Sequence, residues 1–184
     1  MNKEGWKIVK QKAEEGCSQA SWEIAESYWD GLKDKKGNFI ALKNKRLALE
    51  WYQRSAEYGN KYAQNTLGVI LSDGKLVPKN IKKSLYWFKR ALKNGDKCAA
   101  NNIAILYRDL KNYRRSFFWF KKALEGGDFY ALTYLGKYYY EGVVVKQNLK
   151  FAISYFKKVI KYKSIDDFAR EEAMYLLGKS YAEG

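Results

Sequence analysis

An alanine followed four and five residues later by Leu-Gly or a similar pair, at eight by a large side chain and at eleven by glycine, recurs along this chain. Complete copies are Ala63, Leu67, Gly68, Leu71, Gly74; Ala131, Leu135, Gly136, Tyr139, Gly142; and Ala173, Leu177, Gly178, Tyr181, Gly184. Looser copies are Ala20, Ile24, Ala25, Tyr28, Gly31 and Ala99, Ile103, Ala104, Tyr107, Leu110. Successive alanines stand 43, 36, 32 and 42 residues apart. A chain with such a period folds as a stack of similar units, each too small to bury its apolar face alone and each covered by its neighbour.

A second pattern runs between the copies: Asn44, Ala48, Trp51; Asn80, Ser84, Trp87; Asn112, Ser116, Trp119; Asn148, Ala152, Tyr155. Spacings of three, four and seven put the small residue and the aromatic on one face of a helix, and asparagine suits its N-cap. Gly59, Gly95 and Gly127 each follow the aromatic by eight residues, where a left-handed helix stop is expected. Each unit therefore reads as helix A, a loop, helix B and a glycine turn. Variation in length falls in the connections, at 31–44 and around Lys163, Ser164, Ile165 and Asp166.

The combined pattern, Ala-x-x-x-Leu-Gly-x-x-Tyr-x-x-Gly, then Asn-x-x-x-Ala-x-x-Trp-Tyr/Phe-x-x-Ala, then Gly-Asp/Asn, is similar to Sel1-like repeats, most closely from Ala63 to Asp96. The resemblance implies an all-α fold, a right-handed α-solenoid of Sel1-like or tetratricopeptide-like helix pairs forming one domain over 1–184. It divides the chain into a lone helix B at 5–16, repeats at 18–59, 61–95, 97–127 and 129–163, and a helix A alone at 168–184. The third unit, with Leu110 in place of glycine and only Lys111 before Asn112, looks more like a tetratricopeptide repeat. The last helix, with Met174, Tyr175, Leu176, Leu177 and Tyr181, is apolar on more than one side, so a partner, further chain or a second copy in a homodimer is expected to cover it.

The formal charge of +15 invites a nucleic-acid reading. Its location matters more than its size: the five helix A segments together carry a net −3, whereas residues 75–93 hold seven basic residues and 143–165 six, with no acid in either. By resemblance helix A lines the concave side and helix B the convex side. A basic back and a neutral groove follow. Lys82, Lys83, Lys157 and Lys158 are the candidates for contact with RNA, DNA or another anionic surface, against the alternative that they only solvate a helix face.

The resemblance to tetratricopeptide repeats puts the groove at helix A positions that the signature leaves unused. The candidates so placed are Trp22, Glu26 and Trp29 in the first unit, Tyr62 and Asn65 in the second, Asn101 and Arg108 in the third, and Tyr130, Lys137 and Tyr140 in the fourth. Trp22 and Trp29, seven apart, either anchor a partner or are covered by the helix at 5–16 with Trp6. Asn65 and Asn101 suit a peptide backbone, and Arg108 and Lys137 a carboxylate. Glu183 and Gly184 close the fifth helix A.

Catalysis has little support: histidine is absent, and neither an acid pair at a diagnostic spacing nor a glycine-rich phosphate loop is present. Cys17 and Cys98 read as two free thiols, so neither metal nor cofactor is expected. With no apolar run long enough for a membrane helix and no signal peptide at Met1, the expected location is cytoplasmic. The resulting expectation is a non-catalytic module or adaptor that binds a protein or peptide in its groove, in a narrower form a bacterial immunity or effector-associated protein.

Overall fold

The computed structural model describes residues 1–162 and 165–182; the expected features at Lys163, Ser164, Glu183 and Gly184 lie outside the described residues. The helices are α1 (Lys3–Glu14), α2 (Ser18–Asp30), α3 (Lys45–Glu57), α4 (Lys61–Asp73), α5 (Ile81–Lys93), α6 (Cys98–Asp109), α7 (Tyr113–Glu125), α8 (Ala131–Glu141), α9 (Leu149–Lys161) and α10 (Asp167–Ala182). They form two compact units, Met1–Asp96 and Lys97–Gly184. In the first, α1 packs on α2, α2 on α3, α3 on α4 and α4 on α5; in the second the same succession runs from α6 to α10. Consecutive helix pairs of this kind are the α-solenoid architecture.

The four helix B N-caps form as their sequence demands. Asn44, Asn80, Asn112 and Asn148 accept, through the side-chain oxygen, the N–H of Leu47, Lys83, Arg115 and Phe151. Their own backbone N–H groups make a second bond that repeats across the chain. Asn44 donates to the carbonyl of Tyr28, Asn80 to Leu71, Asn112 to Tyr107 and Asn148 to Tyr139, at 2.7–2.9 Å. Every A-to-B connection thus closes at the same point of helix A, whatever its length. In the first repeat the long connection holds a short antiparallel pair, β1 (Leu32–Lys33) with β2 (Phe39–Ala41), whose turn is tied by Asp34 accepting from the N–H of Lys36 and Asn38. In the third the connection shrinks until Lys111 takes the left-handed turn itself, at φ 57°.

The interior corrects one sequence expectation. The fully buried aromatic of helix B is the second of each pair, Tyr52, Phe88, Phe120 and Phe156, four residues after the small residue; of the first members Trp51 is buried as expected, whereas Trp87, Trp119 and Tyr155 are only half-buried. A spacing of four stacks the small residue and the ring along the same line of the helix, and that line faces helix A. The glycine of the Leu-Gly pair is its counterpart. A Cβ at Gly68 would stand 2.5 Å from the Phe88 ring, and one at Gly136 2.6 Å from Phe156. Ser84 completes the contact in the second repeat by donating its hydroxyl to the Gly68 carbonyl at 2.7 Å.

Candidate partner-binding site

Within each unit, side chains from neighbouring A helices meet at the positions the repeat signature leaves unused. In the N-terminal unit, Trp22 of α2 and Tyr62 of α4 place their rings 5.8 Å apart, with the Lys61 ammonium 5.1 Å over Tyr62. Trp22 is half-buried and its indole N–H has no hydrogen-bond partner. Tyr62 is exposed.

Trp29 faces differently. It stands edge-on to Tyr52, 5.8 Å away, with Lys45 above its ring, and is half-buried against the core. Trp6 of α1 packs against Tyr28, 5.8 Å away. Glu26 is tied to the interior by accepting a hydrogen bond from the Tyr52 hydroxyl. Burial first, and that carboxylate second, push the Tyr52 hydroxyl well above its ordinary pKa. Asn65 is half-buried on the same helix as Tyr62.

The C-terminal unit holds a cavity of about 320 Å³ whose walls come from α6, α7, α8 and the turn after it. Arg108 of α6 and Lys137 of α8 line it together, and both reach the ring of Tyr134, at 4.9 and 5.7 Å. Each cation is steadied by a carboxylate: Arg108 by Asp109 at 3.1 Å, Lys137 by Glu172 of α10 at 2.6 Å. Phe120 stacks on Tyr134 at 4.4 Å and fixes the ring that both cations use. Tyr138, almost wholly buried, also lines the cavity; its hydroxyl, near Ser116, is outside good hydrogen-bond geometry. Burial pushes this hydroxyl's pKa up, with Ser116 and Arg108 acting the other way. Glu141 supplies the one carboxylate among the lining residues.

Four residues of that lining, Tyr113, Tyr134, Tyr138 and Val143, were not among the positions read from the sequence as groove-facing, whereas Glu141, ten residues after Ala131, was. Tyr134 and Tyr138 sit three and seven residues after Ala131, on the side of α8 that periodicity assigns to the interior. Tyr113 opens α7 and Val143 lies in the turn after α8. The remaining candidates of this unit are not in the lining: Tyr130 is exposed at the start of α8, Tyr140 is half-buried, and the side-chain oxygen of Asn101 is buried without a partner.

With this geometry, the sequence matches the Sel1 repeat over residues 18–60, 61–96, 99–128, 129–159 and 171–184. The chain belongs to the Sel1 repeat family. Its fold is similar to that of a Sel1 repeat protein from Oxalobacter formigenes, at 20% identity and a TM-score of 0.73, with 99% of this chain and 80% of that one covered. A Sel1 repeat protein from Klebsiella pneumoniae subsp. pneumoniae is 18% identical, with a TM-score of 0.58 over 97% of this chain and 93% of the other. A protective antigen of uropathogenic Escherichia coli strains is 21% identical at a TM-score of 0.50; 97% of this chain is covered, but only 49% of that protein. None of the curated proteins matches the sequence.

Outside the A helices of these Sel1 repeats, Lys82, Lys83, Lys157 and Lys158 are exposed. Lys158 lies 5.8 Å over Tyr155, and Lys157 5.5 Å over Tyr181 of α10. Cys17 and Cys98 are exposed and are not joined in a disulfide. Among the described residues no helix is long and apolar enough to cross a membrane.

Proposed function

We propose that this chain is a non-catalytic interaction module whose A-helix surfaces bind a protein partner, and that the Arg108 and Lys137 cavity receives an acidic side chain or a terminal carboxylate of that partner. Sel1 repeats generally mediate protein–protein interaction, which supports the class. The single observation that favours the finer reading is the convergence of Arg108 and Lys137 on one stacked tyrosine at one cavity. Asp109 and Glu172 hold the two cations in place before any ligand arrives, so little side-chain ordering is left to oppose binding. Glu141, in the same lining, disfavours a second acid beside the first. In the N-terminal unit the Trp22 and Tyr62 pair provides a rigid aromatic surface of the kind that carries binding energy at interfaces.

The test is capture of a defined acidic peptide library, fixed at its N-termini, by the 184-residue chain and by its Arg108→Ala and Lys137→Ala variants. The reading expects retention of peptides with a terminal or penultimate carboxylate and at least tenfold weaker retention by either variant. Equal retention of acidic and amidated peptides would reject it.

A further inference from the structure

The two B helices of the C-terminal unit are basic in the same way on the side away from their buried residues. Two residues before the buried small residue, and five and six after it, α7 carries Arg114, Lys121 and Lys122 around Ser116. At the same positions α9 carries Lys150, Lys157 and Lys158 around Ala152, and all six side chains are exposed. No acid occurs in α9, and α7 has only Glu125, in its last turn and 3.7 Å from the Lys122 ammonium. Arg114, Lys121, Lys150 and Lys158 form no ion pair among the described residues. The basic surface ends at α10, whose Asp167 and Glu171 are exposed and which meets α9 where Lys157 lies over Tyr181.

These two helices lie side by side. Near their starts Tyr139 of α8 bridges them, 5.9 Å from Phe117 and 5.1 Å from Phe151; near their ends Leu124 and Lys158 line one depression of about 400 Å³. Two phenylalanines stand among the cations, Phe118 at 54% and Phe151 at 53% exposure. Arg114 is four residues before Phe118, and Lys121 and Lys122 are three and four after it, so all three flank it on the helix surface. Lys150 adjoins Phe151. A phenyl ring gains nothing from water, and covering it is favourable.

We propose that this side of α7 and α9 docks on an anionic lipid bilayer, with Phe118 and Phe151 entering the boundary between headgroups and acyl chains and with Arg114, Lys121, Lys150 and Lys158 meeting acidic headgroups. Cations set around large apolar side chains are the means by which surface helices hold to a membrane, and the uncompensated positive charge selects anionic lipid. Nucleic acid fits the same charge less well. Neither helix carries an asparagine or glutamine to read base edges. Stacking of bases needs open ring faces, yet Lys122 lies 5.8 Å over Phe118, and Tyr139 lies against Phe151 at a tilt of 32°.

None of these residues lines the Arg108 cavity, so the lipid reading and the carboxylate reading fail separately. The test is co-sedimentation of the 184-residue chain with phosphatidylcholine vesicles that contain or lack about 30% phosphatidylserine, in about 0.1 M sodium chloride. One variant combines Phe118→Gln with Phe151→Gln and leaves the charge unchanged. A second combines Lys121→Glu with Lys158→Glu. The third, Lys7→Glu with Lys10→Glu on exposed positions of α1, makes the same change in net charge elsewhere.

The parent chain is expected to partition at least tenfold more strongly onto the acidic vesicles than onto the neutral ones. The first and second variants should each weaken that binding at least tenfold, and the α1 variant less than threefold. Circular dichroism checks that the phenylalanine variant keeps its helices; should it not, Phe118→Gln alone takes its place, with at least a threefold loss expected. No binding to acidic vesicles, equal binding to both kinds, indifference to the phenylalanine changes, or an equal loss from the α1 changes would overturn the proposal. So would a tenfold loss of affinity for a mixed-sequence single-stranded RNA in the phenylalanine variant, since the rings would then serve bases.

Discussion

Gly68 lies directly under the ring of Phe88, close enough that two ring carbons would stand 2.5 Å from any Cβ placed there. Helix A and helix B of that repeat approach over this one missing side chain. Gly136 and Phe156 repeat the relationship, while Gly178 has the sequence signature without the partner ring.

Alanine at these three glycines should therefore give opposite results. Gly68→Ala and Gly136→Ala gain helix propensity of about 1 kcal/mol but overpack a rigid contact at a cost of about 1–3 kcal/mol, for a net loss. Gly178→Ala meets open space and should gain up to about 1 kcal/mol. Urea midpoints of the three variants check the order.

The N-cap of α9 offers a cleaner measure of one hydrogen bond. Asn148→Ala removes the side-chain acceptor for Phe151 but keeps the backbone bond to Tyr139, so it should cost about 1 kcal/mol. Asn148→Asp should restore most of that stability, because aspartate caps equally well. Chemical denaturation of the pair separates the cap from any change in the loop.

Lys111 is the one non-glycine residue with positive φ among the described residues, at 57°. A side chain there strains the backbone, whereas glycine adopts the conformation freely but loses more entropy on folding. Lys111→Gly is expected to stabilise the chain by about 0.5–1 kcal/mol. A rise in thermal midpoint is the readout, and an unchanged or lower midpoint would contradict the strain.

Tyr52 sets an alkaline limit on stability. Burial and the Glu26 carboxylate raise its pKa above the unfolded value near 10.0, so the folded state disfavours the phenolate. Its contribution is fully present below that value and declines as pH rises above it. Tyr52→Phe should flatten the fall in stability above pH 10 relative to the parent chain, with lysine titration common to both. Denaturation curves at pH 8, 10 and 11 test the difference in slope.

Much of the site depended on neighbours that periodicity does not specify. The helical period assigns Tyr134 and Tyr138 to the core side of α8, and both are indeed stacked or buried there. Both nonetheless line the cavity, together with Tyr113 and Val143 from other parts of the chain. Conversely, Trp29 occupies a groove position in the register yet packs against Tyr52, since a large ring beside a buried tyrosine gains more from apolar contact than from water.

The order of the helices, their asparagine starts, their glycine stops and the family were all legible in the sequence, because backbone geometry demands those residue types at fixed intervals and the intervals survive without knowing what lies across from them. Which aromatic of each pair enters the interior, where Arg108 and Lys137 meet over one ring, and which glycine is left uncovered were decided only by tertiary structure. Those outcomes depend on the separation of side chains brought together from different helices, and a one-dimensional period carries no information about distance between elements.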